Sequence, residues 1–395
     1  MRIIITGASG NIGSALLRRL TSDDHEIVGM ARRTPDDSGP FGGVEWVGVD
    51  LTQDSCLPTL EHTFAGCDAV VHLAWGFQPS HDPAYLKELG VGGTRRVLTA
   101  LAGTGVPHLV HMSSIGAYCA KHDDRPVDES WPTGGVRSSR YSVHKAAAEE
   151  LLDDFQKAGH PTLVTRMRPG IVGQRSAGSA LLRYGVPAIV PSAVLDHVPI
   201  VPLDRRLSLP MVHADDVADA IARALGGRVG GAFNLAADPP ITTERIGAAL
   251  GARVVHVPSG ALRALMSAAW HLRLQQVDPG WLDMAFALPL LDTSRARREL
   301  VASWDGYRPS MPTRCCVRCW PGCATARRTA HQSSDPVQCS ERCAISPHVV
   351  RSRAATSPDA TRTPGGDVPW SGVTPRCSML SGLLIPPMSS GIRCR

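Results

Sequence analysis

Tyr141 and Lys145 stand four residues apart, a spacing that puts a phenol and an ammonium on one face of a helix. A phenol near pKa 10 is a poor base at neutral pH, but a neighbouring cation and an oxidised nicotinamide both favour its anion. Such a pair can take a proton from a secondary alcohol as hydride leaves, or return one in the reverse direction. Ser113 and Ser114 precede the pair, and Thr6-Gly7-Ala8-Ser9-Gly10-Asn11-Ile12-Gly13 follows the apolar run Arg2-Ile3-Ile4-Ile5. A glycine loop between a strand and a helix lets a dinucleotide's pyrophosphate rest on the helix N-terminus. Together these signals describe redox chemistry on a small-molecule substrate.

The elements that must hold these residues are short apolar runs alternating with helical patterns. The pattern predicts strands over residues 2–6, 26–31, 44–49, 69–74, 108–113 and 162–167, with helices over 12–20, 94–102 and 142–158. That alternation predicts an α/β fold, a doubly wound parallel sheet of the Rossmann type with helices on both faces. Residues 1–172 are expected to form the dinucleotide-binding domain and to carry the catalytic residues. Residues 173–311 are expected to form a small C-terminal α/β substrate region, interleaved with returning Rossmann elements. Within it, 211–221 reads as a strand running into a helix with Asp215 as N-cap. Strands are expected over 231–235 and 253–257, and helices over 260–274 and 280–291; no internal repeat is visible.

The hydrophobic fraction of 43% and charged fraction of 19% are those of a soluble globular protein. No apolar run approaches the roughly 20 residues of a membrane helix, and Met1 leads directly into a strand. A cytoplasmic protein without a membrane partner is expected. Residues 313–395 hold eleven Arg and no Lys against four acids, a net +7; the rest of the chain has 30 basic and 32 acidic residues, a net −2. Cys56, Cys67 and Cys119 lie in the body, which reads as a reduced cytosolic enzyme, and the other eight cysteines lie after residue 312. From 312 to 395 the chain is rich in Cys, Arg and Pro and has no period, so a disordered tail is expected. Cys315-Cys316-x-x-Cys319 and Cys339-x-x-x-Cys343 are too irregular for a zinc site, and no metal is expected. One permitted GC-rich coding of the stretch from Pro312, read two bases later, spells an amphipathic helix. This implies a slip of reading frame near residues 302–312. Nucleic-acid binding would rest on the basic tail alone and is not expected.

In order along residues 1–300, the chain shows Thr6-Gly-x-x-Gly10-x-x-Gly13, Asp50-Leu51, His72-Leu-Ala74, Ser113-Ser114-x-x-x-Tyr118, Tyr141-x-x-x-Lys145, Arg168-Pro-Gly-Ile-Val172 and Val212-His-x-Asp-Asp216-Val-Ala. This ordered set resembles the extended short-chain dehydrogenase/reductase family, also called the NAD-dependent epimerase/dehydratase family. The resemblance implies that Tyr141 is the acid/base, Lys145 its partner and holder of the nicotinamide ribose, and Ser114 the hydroxyl on the reacting oxygen. It places the cofactor against Gly7, Ser9, Gly10, Asn11, Ile12 and Gly13. Further contacts fall on Asp50 and Leu51, on Leu73, Ala74 and Trp75, on Ser113, Tyr141 and Lys145, and on Pro169, Ile171 and Val172. The second strand ends in Arg32 and Arg33 with no carboxylate for a ribose diol. Two guanidiniums there suit a 2′-phosphate, so NADP is slightly favoured over NAD.

Two departures bear on activity. Gly90-Val91-Gly92-Gly93-Thr94 stands where the family often has Asn-Val-x-Gly-Thr, and Ser114-Ile115-Gly116 lacks the carboxylates of family dehydratases, which disfavours β-elimination. Cys119 reads as a buried structural thiol. The substrate pocket is expected after residue 173, with contributions from 75–82 and 132–139. Arg175, Arg183, Arg205 and Arg206 are available for the diphosphate of a nucleotide sugar, whereas the apolar stretch 186–202 suits a hydrophobic ketone or alcohol. The resulting readings are an NAD(P)-dependent oxidoreductase epimerising a nucleotide sugar, or an NADPH-dependent reductase of a hydrophobic carbonyl. A nucleotide-sensing protein without catalysis is the third. A homodimer through helices 94–102 and 142–158 is implied by the resemblance alone.

Overall fold

Ile3, Ile4 and Ile5 are all fully buried in the first strand, Arg2–Thr6 (β1), because successive side chains point to opposite faces of a sheet covered on both sides. Ile3 and Ile5 join one core and Ile4 the other. This computed structural model describes residues 1–77, 81–174, 199–275 and 277–302. Residues 186–198 of the apolar stretch expected over 186–202, Arg175 and Arg183, and the tail with its cysteine pairs lie outside the described residues.

After β1 come the helix Asn11–Leu20 (α1), the strands Glu26–Ala31 (β2) and Glu45–Gly48 (β3), and the helix Leu57–Phe64 (α2). Then follow Ala69–His72 (β4), the helix Gly93–Thr104 (α3), His108–Met112 (β5), the helix Arg140–Lys157 (α4) and Leu163–Pro169 (β6). The helix Ala214–Gly227 (α5), the strand Gly231–Leu235 (β7) and the helix Ser294–Ala302 (α6) complete the frame. The seven strands form one sheet in the order β7-β6-β5-β4-β1-β2-β3, with every pair parallel. Helices α1, α5 and α6 cover one face, and α2, α3 and α4 cover the other. The doubly wound parallel sheet expected from the sequence is what the chain forms.

Several local expectations need correction. The strand expected to run to Ala74 stops at His72, which frees Leu73 and Ala74 to line a groove. The cap of α5 is His213, whose Nδ1 accepts the Asp215 N–H at 3.2 Å; Asp215 sits inside the first turn and pairs with Arg18. Cys56 and Cys67 are buried free thiols, both pushed up by burial, Cys67 to about 11. Cys119 is buried but disulfide-bonded, not the free thiol expected.

Candidate active site

Helix α4 starts at a cap: the Ser139 hydroxyl accepts the Ser142 N–H. Ser142 in turn donates its hydroxyl to the Gly116 carbonyl and accepts the Val136 N–H at 2.6 Å. These bonds tie the start of α4 to the 3-10 turn Ile115–Ala117 that follows β5. Ser114 caps that turn, accepting the Gly116 N–H at 3.0 Å, and its hydroxyl hydrogen-bonds the Tyr141 phenol. Gly116 is a position that sequence reasoning missed: a Cβ there would lie 2.8 Å from the Tyr141 ring. The start of α4 and the turn after β5 are thereby held together, which brings Tyr141 beside Ser114.

Burial pushes the Tyr141 phenol up to about 12, opposed by its hydrogen bond to Ser114. The expected lowering of that phenol by Lys145 does not hold here. The ammonium turns to the Met112 carbonyl at 2.8 Å and to the face of the Trp75 ring, 3.5 Å from its centroid. Burial pushes Lys145 down to about 7, opposed by Glu149 one turn further along α4.

Tyr141, Lys145 and Glu149 follow one another at four-residue intervals, so they share a face of α4. Glu149 is fully buried and accepts from Arg168 Nε and Arg166 Nη1, both at 2.8 Å, and from the Ser113 hydroxyl at 2.6 Å. Arg168 also donates to the Tyr118 hydroxyl, which donates to Asn234 Oδ1 at 2.7 Å. This network was not foreseen. Glu149, Arg166 and Asn234 lie on α4, β6 and β7 with no shared motif, and only the folded sheet brings them together. Ser113, expected against the cofactor, spends its hydroxyl on Glu149.

The glycine loop, the ends of β2 and β3 and the segment after β4 enclose an open groove of about 400 Å³. Gly7, Ser9, Gly10, Arg32, Asp50, Leu51, Leu73, Ala74 and Trp75 line it. Gly7 has φ +71°, and a Cβ there would meet Ala74 N at 2.7 Å. At Gly10 the nearest atom to an added Cβ is the Gly7 carbonyl at 3.1 Å, so the space beyond is open for an approaching ligand. α1 has no side-chain cap, and the buried Asn11 Oδ1 lacks a partner. These features fit a dinucleotide whose pyrophosphate lies on the N-terminus of α1. Asp50 is held below its usual range by the Thr52 N–H and hydroxyl, with Arg32 and Arg96 adding charge. Arg32 reaches the Tyr85 hydroxyl from the groove wall, whereas Arg33 is exposed and outside the lining. Ile12 packs against the core, and the Val172 carbonyl accepts from the Asn11 amide. Pro169 ends β6, and Ile171 starts the short strand Ile171–Gly173 beside it. None of Ile12, Pro169, Ile171 and Val172 lines the groove.

Beside the groove, Tyr141 is walled by aromatic rings. Phe77 and Trp281 stack on it at 5.4 and 4.8 Å between centroids, and Trp75 meets it edge-on at 6.3 Å. Pro83, Leu86, Arg140, His144 and Asp278 complete this recess. Trp281 had no signal in the sequence, since a tryptophan in an apolar helix reads as core. None of residues 132–139, expected to contribute to the pocket, lines this recess; Val136 is buried against Ile115 and Met284, and Pro132, Gly134, Arg137 and Ser138 are exposed.

An uncharacterized Mycobacterium tuberculosis protein is 28% identical over 319 residues, 80% of this chain, and the chain spans only 29% of that relative's length. A UDP-glucose 4-epimerase of Mycolicibacterium smegmatis is 29% identical over 269 residues, covering 64% of this chain and 83% of the relative. The fold is that of the UDP-glucose 4-epimerase of Thermus thermophilus in complex with NAD. The TM-score is 0.59 at 22% identity, over 82% of this chain and 98% of that one. Residues 3–236, more than half of the chain, match the NAD dependent epimerase/dehydratase family, and the chain belongs to it.

Proposed function

We propose that this NAD(P)-dependent enzyme transfers hydride at a carbon bearing a secondary alcohol or ketone, on substrates with an apolar face, with Tyr141 as acid/base. The observation that carries this reading is the hydrogen-bonded Ser114–Tyr141 pair at the mouth of the nucleotide groove, walled by Phe77, Trp75 and Trp281. A bound nicotinamide supplies the hydride or accepts it. Ser114 orients the substrate oxygen, Tyr141 gives that oxygen a proton or removes one, and the rings keep water from the reacting carbon. With its pKa pushed up to about 12, Tyr141 is a neutral phenol at neutral pH and can donate its proton to the reacting oxygen.

A second reading, epimerisation of a nucleotide sugar, is favoured by the likeness to the Mycolicibacterium smegmatis epimerase. Against it, Arg206 is engaged by Asp204 and Ser259 and so is not free for a diphosphate. The deciding test supplies the purified protein with NADPH and a series of aryl and long-chain alkyl ketones, and in parallel with UDP-glucose. Ketone-dependent loss of NADPH absorbance is expected. Formation of UDP-galactose, with stoichiometric NAD released on denaturation, would instead establish the epimerase.

The cofactor preference rests on Arg32. Its place on the groove wall supports a 2′-phosphate contact, and a hydrogen-bonded charge pair of this kind is worth about 1.5–3 kcal/mol. Arg32→Ser is therefore expected to weaken NADPH binding about 10- to 100-fold while leaving NADH nearly unchanged, read by calorimetry. Equal losses for both cofactors would assign Arg32 to adenine stacking instead.

A further inference from the structure

We propose that Trp75 is a positioning residue for Lys145, and that residue 90 is glycine because the Trp75 indole occupies the space a side chain there would need. A Cβ on Gly90 would lie 2.9 Å from both Cη2 and Cζ2 of Trp75 and 3.2 Å from Cε2. All three contacts are with one rigid ring, which cannot yield by bending at a flexible tip. The same ring carries the Lys145 ammonium on its face, 3.5 Å from the centroid. Its third neighbour is Tyr141, met edge-on. One indole thus fills the gap above Gly90, seats the ammonium and touches the phenol.

The backbone around Gly90 is shaped to this end. Glu88–Gly92 is a π-helical turn that leads into α3, an irregularity that recurs at functional sites. Thr94 donates to the Gly90 carbonyl at 2.7 Å and meets His72 Nε2 at 3.2 Å, which ties the turn to β4. The asparagine that the resemblance leads one to expect at residue 90 would meet the indole that contacts Lys145.

An ammonium over an indole face is favoured electrostatically, and more so away from water. The groups around Lys145 are Tyr141 and Glu149 on its own helix, His72 on β4 and His111 on β5. Burial keeps both histidines neutral, so Glu149 and the ring face are what sustain the lysine's charge. The consequence for catalysis rests on the proposed role of Lys145 beside Tyr141, but the seating itself does not.

The test uses the full chain with carbon-13 enriched lysine, which gives four ε-methylene signals, from Lys87, Lys121, Lys145 and Lys157. Lys145→Met assigns the signal of interest. In the parent protein that signal is expected upfield of the other three, shifted by the indole ring current. Trp75→Leu keeps an apolar neighbour but has no π face. It is expected to abolish the upfield shift and move the Lys145 titration about one pH unit lower. Trp75→Phe should retain part of both effects. Gly90→Ala leaves the indole in the chain yet should give the Trp75→Leu spectrum, because the ring is forced off the ammonium. Adding Gly90→Ala to Trp75→Leu should change nothing further, and this pair keeps the test open if Gly90→Ala alone folds poorly. An unshifted Lys145 signal in the parent, or Gly90→Ala and its double variant behaving additively, overturns the proposal. Calorimetric titration of each variant with NADH and NADPH separates this result from the functional reading: a protein with the shifted lysine that binds neither cofactor would sink the latter alone.

Discussion

Tyr141→Phe is expected to lower turnover about 10²- to 10⁴-fold while leaving cofactor affinity unchanged. The phenyl ring should keep its place, because Phe77 and Trp281 stack on the ring and not on the hydroxyl. Only the proton donor and its hydrogen bond to Ser114 are removed. The loss should therefore fall on kcat and on kcat/KM together, the signature of a group that acts in the transition state. Ser114→Ala leaves the donor in place and should cost less. The direction of reaction matters to the pH profile. Reduction draws its proton from neutral Tyr141 and should stay flat until pH approaches the phenol's ionisation. Oxidation needs the phenolate and should rise with pH across the alkaline range. Steady-state kinetics in both directions, with calorimetry for the cofactor, checks this. If Tyr141→Phe reduces its carbonyl substrate at the parent rate, the proton comes from elsewhere and the proposed role is wrong.

How much of this was legible in the sequence depended on the range of the interaction involved. β1 and β2 begin and end where expected, since each is an apolar run bounded by polar or glycine residues. α2 was missed: it is eight residues long, with Pro58 in its first turn, too short for a helical period to stand out. The glycine loop was legible because Gly7 and Gly13 answer local backbone constraints, with a Cβ on Gly13 falling 2.3 Å from the Ala8 carbonyl. The orientation of Lys145 was not, because spacing on a helix fixes a face but not the partner at the end of a long side chain. That partner is the Met112 carbonyl and the Trp75 ring, from two other segments. Trp281 lies far from Tyr141 in the chain and stacks on it only because the sheet and its C-terminal helices bring the two together.

Glu149→Gln should destabilise the protein by about 3–5 kcal/mol, the cost of leaving buried charges without their partner. Arg168 loses its carboxylate outright, whereas Arg166 keeps Asp153 at 2.7 Å, so most of the loss is assigned to Arg168. The dependence on pH follows from the same contacts. Burial alone would raise the Glu149 pKa, yet the Arg168 and Arg166 guanidiniums and the Ser113 hydroxyl together hold it down at about 2, from an ordinary 4.5. A carboxyl depressed on folding contributes fully above its unfolded pKa and loses that contribution as pH falls through the folded value. Stability from Glu149 should thus be complete above about pH 4.5 and decline toward pH 2, by about 3 kcal/mol in all. Urea unfolding of the two proteins across this window is the measurement, and the Gln variant should lack this component of the decline. Replacing the whole cluster is a different experiment from breaking it. Glu149→Met combined with Arg166→Met and Arg168→Met removes the desolvation cost along with the attraction, and can be as stable as the parent. Such a variant should nevertheless lose activity, because Ser113 is then untethered beside Ser114 and Lys145 loses the carboxylate that sustains its charge. A stable, fully active triple variant would show that the network holds the fold and does not tune the site.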